Sequence, residues 1–200
     1  MNTQNNLVTR WLSRFFLGSF LLATLLLVSC GDDPEPANEE ELITTLTVTL
    51  TPTGGAPITM TFKDLDGEGA GVPEYIYSSG GDAAVLSAST TYTAEITLLN
   101  ESVTPAENIT EEVEEEADEH LFCFDKTGLT GLTITYADTE ADYIAGGSTK
   151  VVGLATTWTT TTTGEGTVTI ILRHQPGTKT GDCPGPGETD IEVTFNIAIQ

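Results

Sequence analysis

Positive charge is scarce in this chain. Seven Lys and Arg stand against 30 Asp and Glu in 200 residues, for a formal net charge of −23. A surface of that sign cannot neutralise phosphates, which argues against binding to nucleic acid and to anionic headgroups. Histidine is scarcer still: there are only His120 and His174, and cysteine numbers three. Catalytic signatures are missing too. The sequence holds no Gly-x-Ser-x-Gly elbow, Walker loop, nucleotide-binding glycine pattern or His-Glu-x-x-His. Carboxylates are so abundant that a glycosidase pair picked among them carries no information. The chain reads as a binding or interaction protein and not as an enzyme.

What is present begins with an apolar run. Arg10 and Arg14 form a positive n-region, residues 15–28 are apolar, and small Ser29 precedes Cys30. The run is shorter than the roughly 20 residues of a membrane span. Leu27-Val28-Ser29-Cys30 resembles the lipobox of bacterial lipoproteins. That resemblance implies cleavage after Ser29 and several acyl chains, palmitate among them, on Cys30; stable anchoring needs more than one chain. A secretory signal ending in a chance cysteine, or an uncleaved anchor, are the other readings of the same residues. The expected organisation is a signal peptide at 1–29, a lipidated cysteine with an acidic, disordered tether at 30–41, and one folded domain at 42–200. The tether is rich in Asp, Glu and Pro and has almost nothing apolar to bury. Without residues 1–29, five Lys and Arg face all 30 acids, for a net −25.

Beyond the tether the pattern has period two. Tyr92, Ala94, Ile96 and Leu98 alternate with Thr91, Thr93, Glu95 and Thr97. Ile191, Val193, Phe195, Ile197 and Ile199 alternate with Glu192, Thr194, Asn196 and Ala198. Four similar runs lie at 42–50, 58–63, 132–136 and 167–173, and less regular ones at 120–124 and 150–158. Strands with one buried and one wet face read this way. Gly-rich turns separate them, so the predicted fold is all-β: an Ig-like antiparallel β-sandwich of about eight strands. One short acidic helix or helical turn is also expected. Thr104-Pro105-Ala106-Glu107 matches a capping box with Pro at the first helical position, and Ile109, Val113, Ala117 and Leu121 recur every four residues. Seven carboxylates in residues 111–119 oppose a longer helix.

Three groups of residues carry candidate chemistry. In the first, the acidic run ends in Glu116, Asp118, Glu119 and His120. A helix would align Glu112, Glu116 and His120, whereas an extended chain would align Asp118 with His120. The second pairs His120 with His174, each at the end of a core stripe. If their strands are neighbours, the two imidazoles meet beside Glu119 or Asp118 and suit zinc or copper. The bland reading is two rim histidines satisfied by backbone and carboxylates. The third, Asp64-Leu65-Asp66-Gly67-Glu68-Gly69, matches the start of a calcium loop, with Asp64, Asp66 and Glu68 as ligands. Position twelve is Tyr75 and not an acid, which leaves a polar turn as the alternative.

With Cys30 assigned to lipid, Cys123 and Cys183 remain. Thiols outside the cytoplasm commonly pair; the alternative is a buried Cys123 and an exposed Cys183. Arg173, His174 and Lys179 gather cations on a long Pro/Gly connection, either as a partner-binding corner or as internal counterions of the acidic run. Trp158, Tyr75 and Tyr77 are candidates for a sugar platform, or for core and rim.

As a whole the chain resembles small uncharacterised Bacteroidota lipoproteins. The residues that carry the likeness are the lipobox, the acidic stalk, Asp118-Glu119-His120 and Arg173-His174-Gln175-Pro176-Gly177. An acidic run after the lipidated cysteine is similar to their outer-leaflet export signal. Some of these proteins bear a name invoking a type 1 periplasmic-binding fold. That fold is α/β and much longer, unlike the strand pattern here. The resemblance implies an outer-membrane lipoprotein of the cell envelope, facing the periplasm or the surface. It also implies a companion role to a TonB-dependent outer-membrane receptor in uptake of a metal or small ligand. The alternative is a structural, protein-interaction or carbohydrate-binding module without metal.

Overall fold

The computed structural model describes residues 41–67 and 71–200. The expected signal peptide, Cys30, the expected tether through residue 40 and the expected calcium ligand Glu68 lie outside the described residues. Strands form where β-branched and aromatic residues alternate, because successive side chains leave opposite faces of the pleat. In chain order the elements are β1 (Thr45–Pro52), β2 (Ile58–Lys63), β3 (Glu74–Tyr77), β4 (Ala84–Leu86), β5 (Thr91–Leu99), α1 (Ile109–Glu115), β6 (His120–Thr127), β7 (Leu132–Tyr136), α2 (Glu140–Tyr143), β8 (Ala155–Thr160), β9 (Gly164–His174) and β10 (Glu188–Ile199).

They make two sheets, in the orders β3-β2-β1-β5-β8-β7 and β4-β10-β9-β6. The predicted all-β sandwich is what forms. Among the described residues it has ten strands where about eight were expected, and one pairing, β4 with β10, is parallel. β3 and β4 are four and three residues long, too short to display a period. Between the sheets lie Leu46, Val48, Leu50, Tyr92, Leu98 and Trp158 from one side and Phe122, Ile170, Leu172, Val193 and Phe195 from the other, all at most 1 % exposed. Burying one such side chain is worth about 1.5–3 kcal/mol, so the inner stripes decide which face of each strand turns inward.

Helix α1 is short, as its acidic sequence requires, but it starts later than the capping pattern suggested. Its N-cap is Asn108, and Thr104–Pro105 is a cis peptide ahead of it. Glu107 is bridged to Asn100 by two backbone hydrogen bonds and is therefore held in extended chain, not in a first helical turn. Ile109, Val113 and Ala117 all turn into the core. The run expected as a strand from 150 becomes regular only at Ala155. Gly153 interrupts it at φ +94, where a Cβ would stand 2.8 Å from Phe122 Cβ.

Cys123 of β6 is disulfide-bonded to Cys183 in the connection between β9 and β10. That connection is further held by Lys179, whose Nζ donates to Ala117 O at 2.6 Å and lies 3.2 Å from Glu140 Oε1. These ties fix the rim of the four-stranded sheet where β6 begins and β9 ends.

Candidate functional site: a buried histidine pair at the sheet rim

β6 and β9 are antiparallel neighbours, and their register sets His120 opposite His174, just as Phe122 is opposite Leu172. The two imidazoles stack with centroids 4.5 Å apart and planes 8° from parallel. Both rings are buried, His120 completely. Helix α1 delivers the third member. Glu116 is its C-cap residue, and its main-chain oxygen accepts from His120 N at 3.2 Å. His120 Nδ1 lies 3.3 Å from that same oxygen and 4.0 Å from the Glu116 carboxylate. One ligand atom from each of Glu116, His120 and His174 falls within 4.8 Å of the others, the only such group of three among the described residues.

More carboxylates stand around the pair. His174 Nε2 is 3.5 Å from Glu119 Oε2, and His120 Nε2 is 3.6 Å from Glu41 Oε1 and 3.7 Å from Asp190 Oδ2. Apart from the borderline Glu119 contact, these separations exceed a normal hydrogen bond. His120 Nε2 and Glu41 Oε2 are buried without a hydrogen-bond partner. Burial, and then the neighbouring His174, hold His120 far below the usual histidine range, at about 4. It is therefore the neutral imidazole, the form that binds metals. Burial pushes Glu41 up to about 8, helped by Asp190, Glu112 and Glu116. At neutral pH the contact between His120 and Glu41 joins two uncharged groups and is not an ion pair.

Asp118 is exposed and faces a hollow beside Glu140 and Lys179 instead of the histidines. Glu112 is exposed and stands outside the group of three, and its charge helps to raise the Glu41 carboxyl. Asp66 accepts from Gly71 N at 2.8 Å, and Asp64 N donates to Thr44 O. Among the described residues, Asp64 and Asp66 join no group of three ligands. Arg173 donates to Thr189 Oγ1 and Gly187 O, and Lys179 is buried against Glu140. Both cations therefore clamp the connection and do not form an open corner; Lys179 is a buried counterion, but of Glu140 and not of the acidic run, and the partners of Arg173 are a hydroxyl and a main-chain carbonyl. Trp158 is fully buried, Tyr77 nearly so, and only Tyr75 reaches solvent, so the three make no common platform.

Sequence reasoning missed Glu41 and Asp190. Glu41 looks like the last residue of the tether. Asp190 sits at a bulge in β10, where the register to β9 shifts between Thr189 and Ile191. A bulge re-aims a side chain that strict alternation would turn outward, and nothing in the local sequence announces it.

No protein-family model matches the chain, and neither a curated protein nor a solved structure matches it.

Proposed function

We propose that this chain is a lipid-anchored binding protein of the bacterial cell envelope. Its ligand is a divalent transition-metal ion, zinc or copper, taken up by His120, His174 and Glu116. The observation that carries the reading is the convergence of a carboxylate and two imidazoles within 4.8 Å, in a chain that has only two histidines. Borderline N/O donors of this kind suit zinc and copper better than calcium or magnesium. Zinc–nitrogen bonds of about 2.0–2.1 Å hold tetrahedral ligand atoms about 3.4 Å apart. Loading would therefore require Glu116, the exposed member, to move inward and the stacked rings to turn so that their lone pairs converge. Glu119 and Glu41 are placed to accept the remaining ring N–H groups and orient the imidazoles.

Lipid on Cys30 supplies the address in this reading. Among the described residues no helix is long and apolar enough to cross a membrane, and a cysteine-borne lipid supplies the attachment. Hand-over of the ion to an outer-membrane uptake receptor is the role to which the resemblance points. The carbohydrate alternative loses its main support, because Trp158 is in the core.

Thermal unfolding of the full chain tests the metal reading. At a hundredfold excess over Kd, binding to the native state alone adds about 2.7 kcal/mol. For a domain of this size that is a rise in Tm of roughly 5–10 °C. Zinc or copper should give that rise, and His120→Phe with His174→Phe should remove it. An equal rise in the double variant would show that the ion sits on the acidic surface instead.

A further inference from the structure

β10 is hydrogen-bonded to β9 from Glu188 to Ile199. On its other edge, the described residues supply a partner strand only at Ile197, Ala198 and Ile199, where β4 pairs. The Asn196 N–H turns to that edge and donates to Tyr77 Oη at 3.1 Å. Main-chain groups alternate sides along a strand, so those of Thr194 and Glu192 point the same way. No described strand pairs with them.

Two hollows lie end to end along this edge. One, of about 220 Å³, is bounded by Tyr75, Thr194 and Asn196; the other, of about 560 Å³, by Leu42, Phe62 and Ile191. Phe62, which lines the larger, packs edge to face with Tyr75, which lines the smaller. Apolar side chains are unusually open here: Leu42 is 52 % exposed, Tyr75 43 %, and Leu65 and Val72, in the β2–β3 connection that borders the larger hollow, 51 % and 92 %. The ionisable side chains lining both hollows are carboxylates and tyrosines, with no Lys or Arg.

We propose that this edge takes up an extended segment of another protein by β-strand addition, the segment alternating apolar residues with Lys or Arg. Main-chain pairing with Glu192 and Thr194 supplies the register, and the hollows receive alternate side chains. Charge selects the occupant. A second copy of this chain would bring the same acidic edge against itself. The chain's own segment 31–40 carries five acids and two prolines, so it has the wrong sign and too few donors. A basic strand has the right sign and a full set of main-chain groups.

The test uses the full chain and three labelled decapeptides, alternating Lys with Val, Glu with Val, and Lys with Gly, read by fluorescence anisotropy and amide hydrogen exchange. The Lys–Val peptide should bind saturably at one per chain, at least tenfold more tightly than the other two. It should also slow exchange at the Glu192 and Thr194 amides. Thr194→Pro removes an edge N–H that the β9 ladder does not use and should weaken binding tenfold or more while unfolding stays cooperative. Should that variant fail to fold, the exchange pattern of the unaltered chain decides alone. Equal binding of Lys–Gly, binding without protection of those two amides, or no binding would overturn the proposal. So would a concentration-dependent dimer that protects the same amides without peptide.

Discussion

Lys179 is one of only five cations beyond residue 29, and it is spent indoors. Its ammonium is buried against Glu140 and the carbonyl of Ala117. Removing one partner of a buried pair costs about 3–5 kcal/mol, because the other is left charged and dry. Lys179→Ala should lower stability by that amount in denaturant unfolding, while Lys179→Met combined with Glu140→Gln should recover most of it. Burial alone would raise the Glu140 carboxyl. Hydrogen bonds from Ser148 and Lys179, with the Lys179 charge, outweigh it and hold Glu140 below the usual range. A depressed native value means that this stabilisation is complete above the unfolded carboxylate value, about 4.3. It fades as pH falls through the native value. Glu140→Gln should therefore flatten the acid limb of a stability profile; an unchanged limb would assign acid sensitivity to other carboxylates. The histidines belong to the same scale. Their residue type and place at stripe ends were visible in the sequence, but their stacking required the register of β6 on β9.

Elements differed in how legible they were. β5 alternates over its nine residues and β10 from Ile191 to Ile199, beyond its bulge, and so long a repeat leaves one way to turn the apolar face inward. β3 and β4 are too brief to show it. The helix was legible from the four-residue spacing of its buried face, whereas its start was not, because extended pairing of Glu107 with Asn100 overrides a local capping pattern. The bulge that brings Asp190 to His120 has no sequence signature at all. The bond between Cys123 and Cys183 closes a span of 60 residues. Constraining a loop of that size in the unfolded chain is worth about 4 kcal/mol. Replacing both cysteines with Ala should lower Tm by roughly 10 °C in calorimetry, and a shift near zero would mean that Lys179 and Arg173 already hold the connection.

At the scale of the molecule, the two proposed sites meet near β10. Its bulged start helps to enclose the histidine pair, and its open edge runs on from there toward Asn196. Around both lies a strongly acidic exterior that collects cations weakly and without structure, which any claim of a metal site has to exclude. Salt near physiological strength screens exposed charges beyond about 8 Å, whereas ligands buried at the sheet rim are screened much less. Equilibrium dialysis of the full chain against zinc in such salt, with the bound metal counted per chain, is the most direct measurement. One tightly held ion is expected in the unaltered chain and none in the variant carrying both His120→Phe and His174→Phe. The same count in both, or no saturable ion in either, would contradict it.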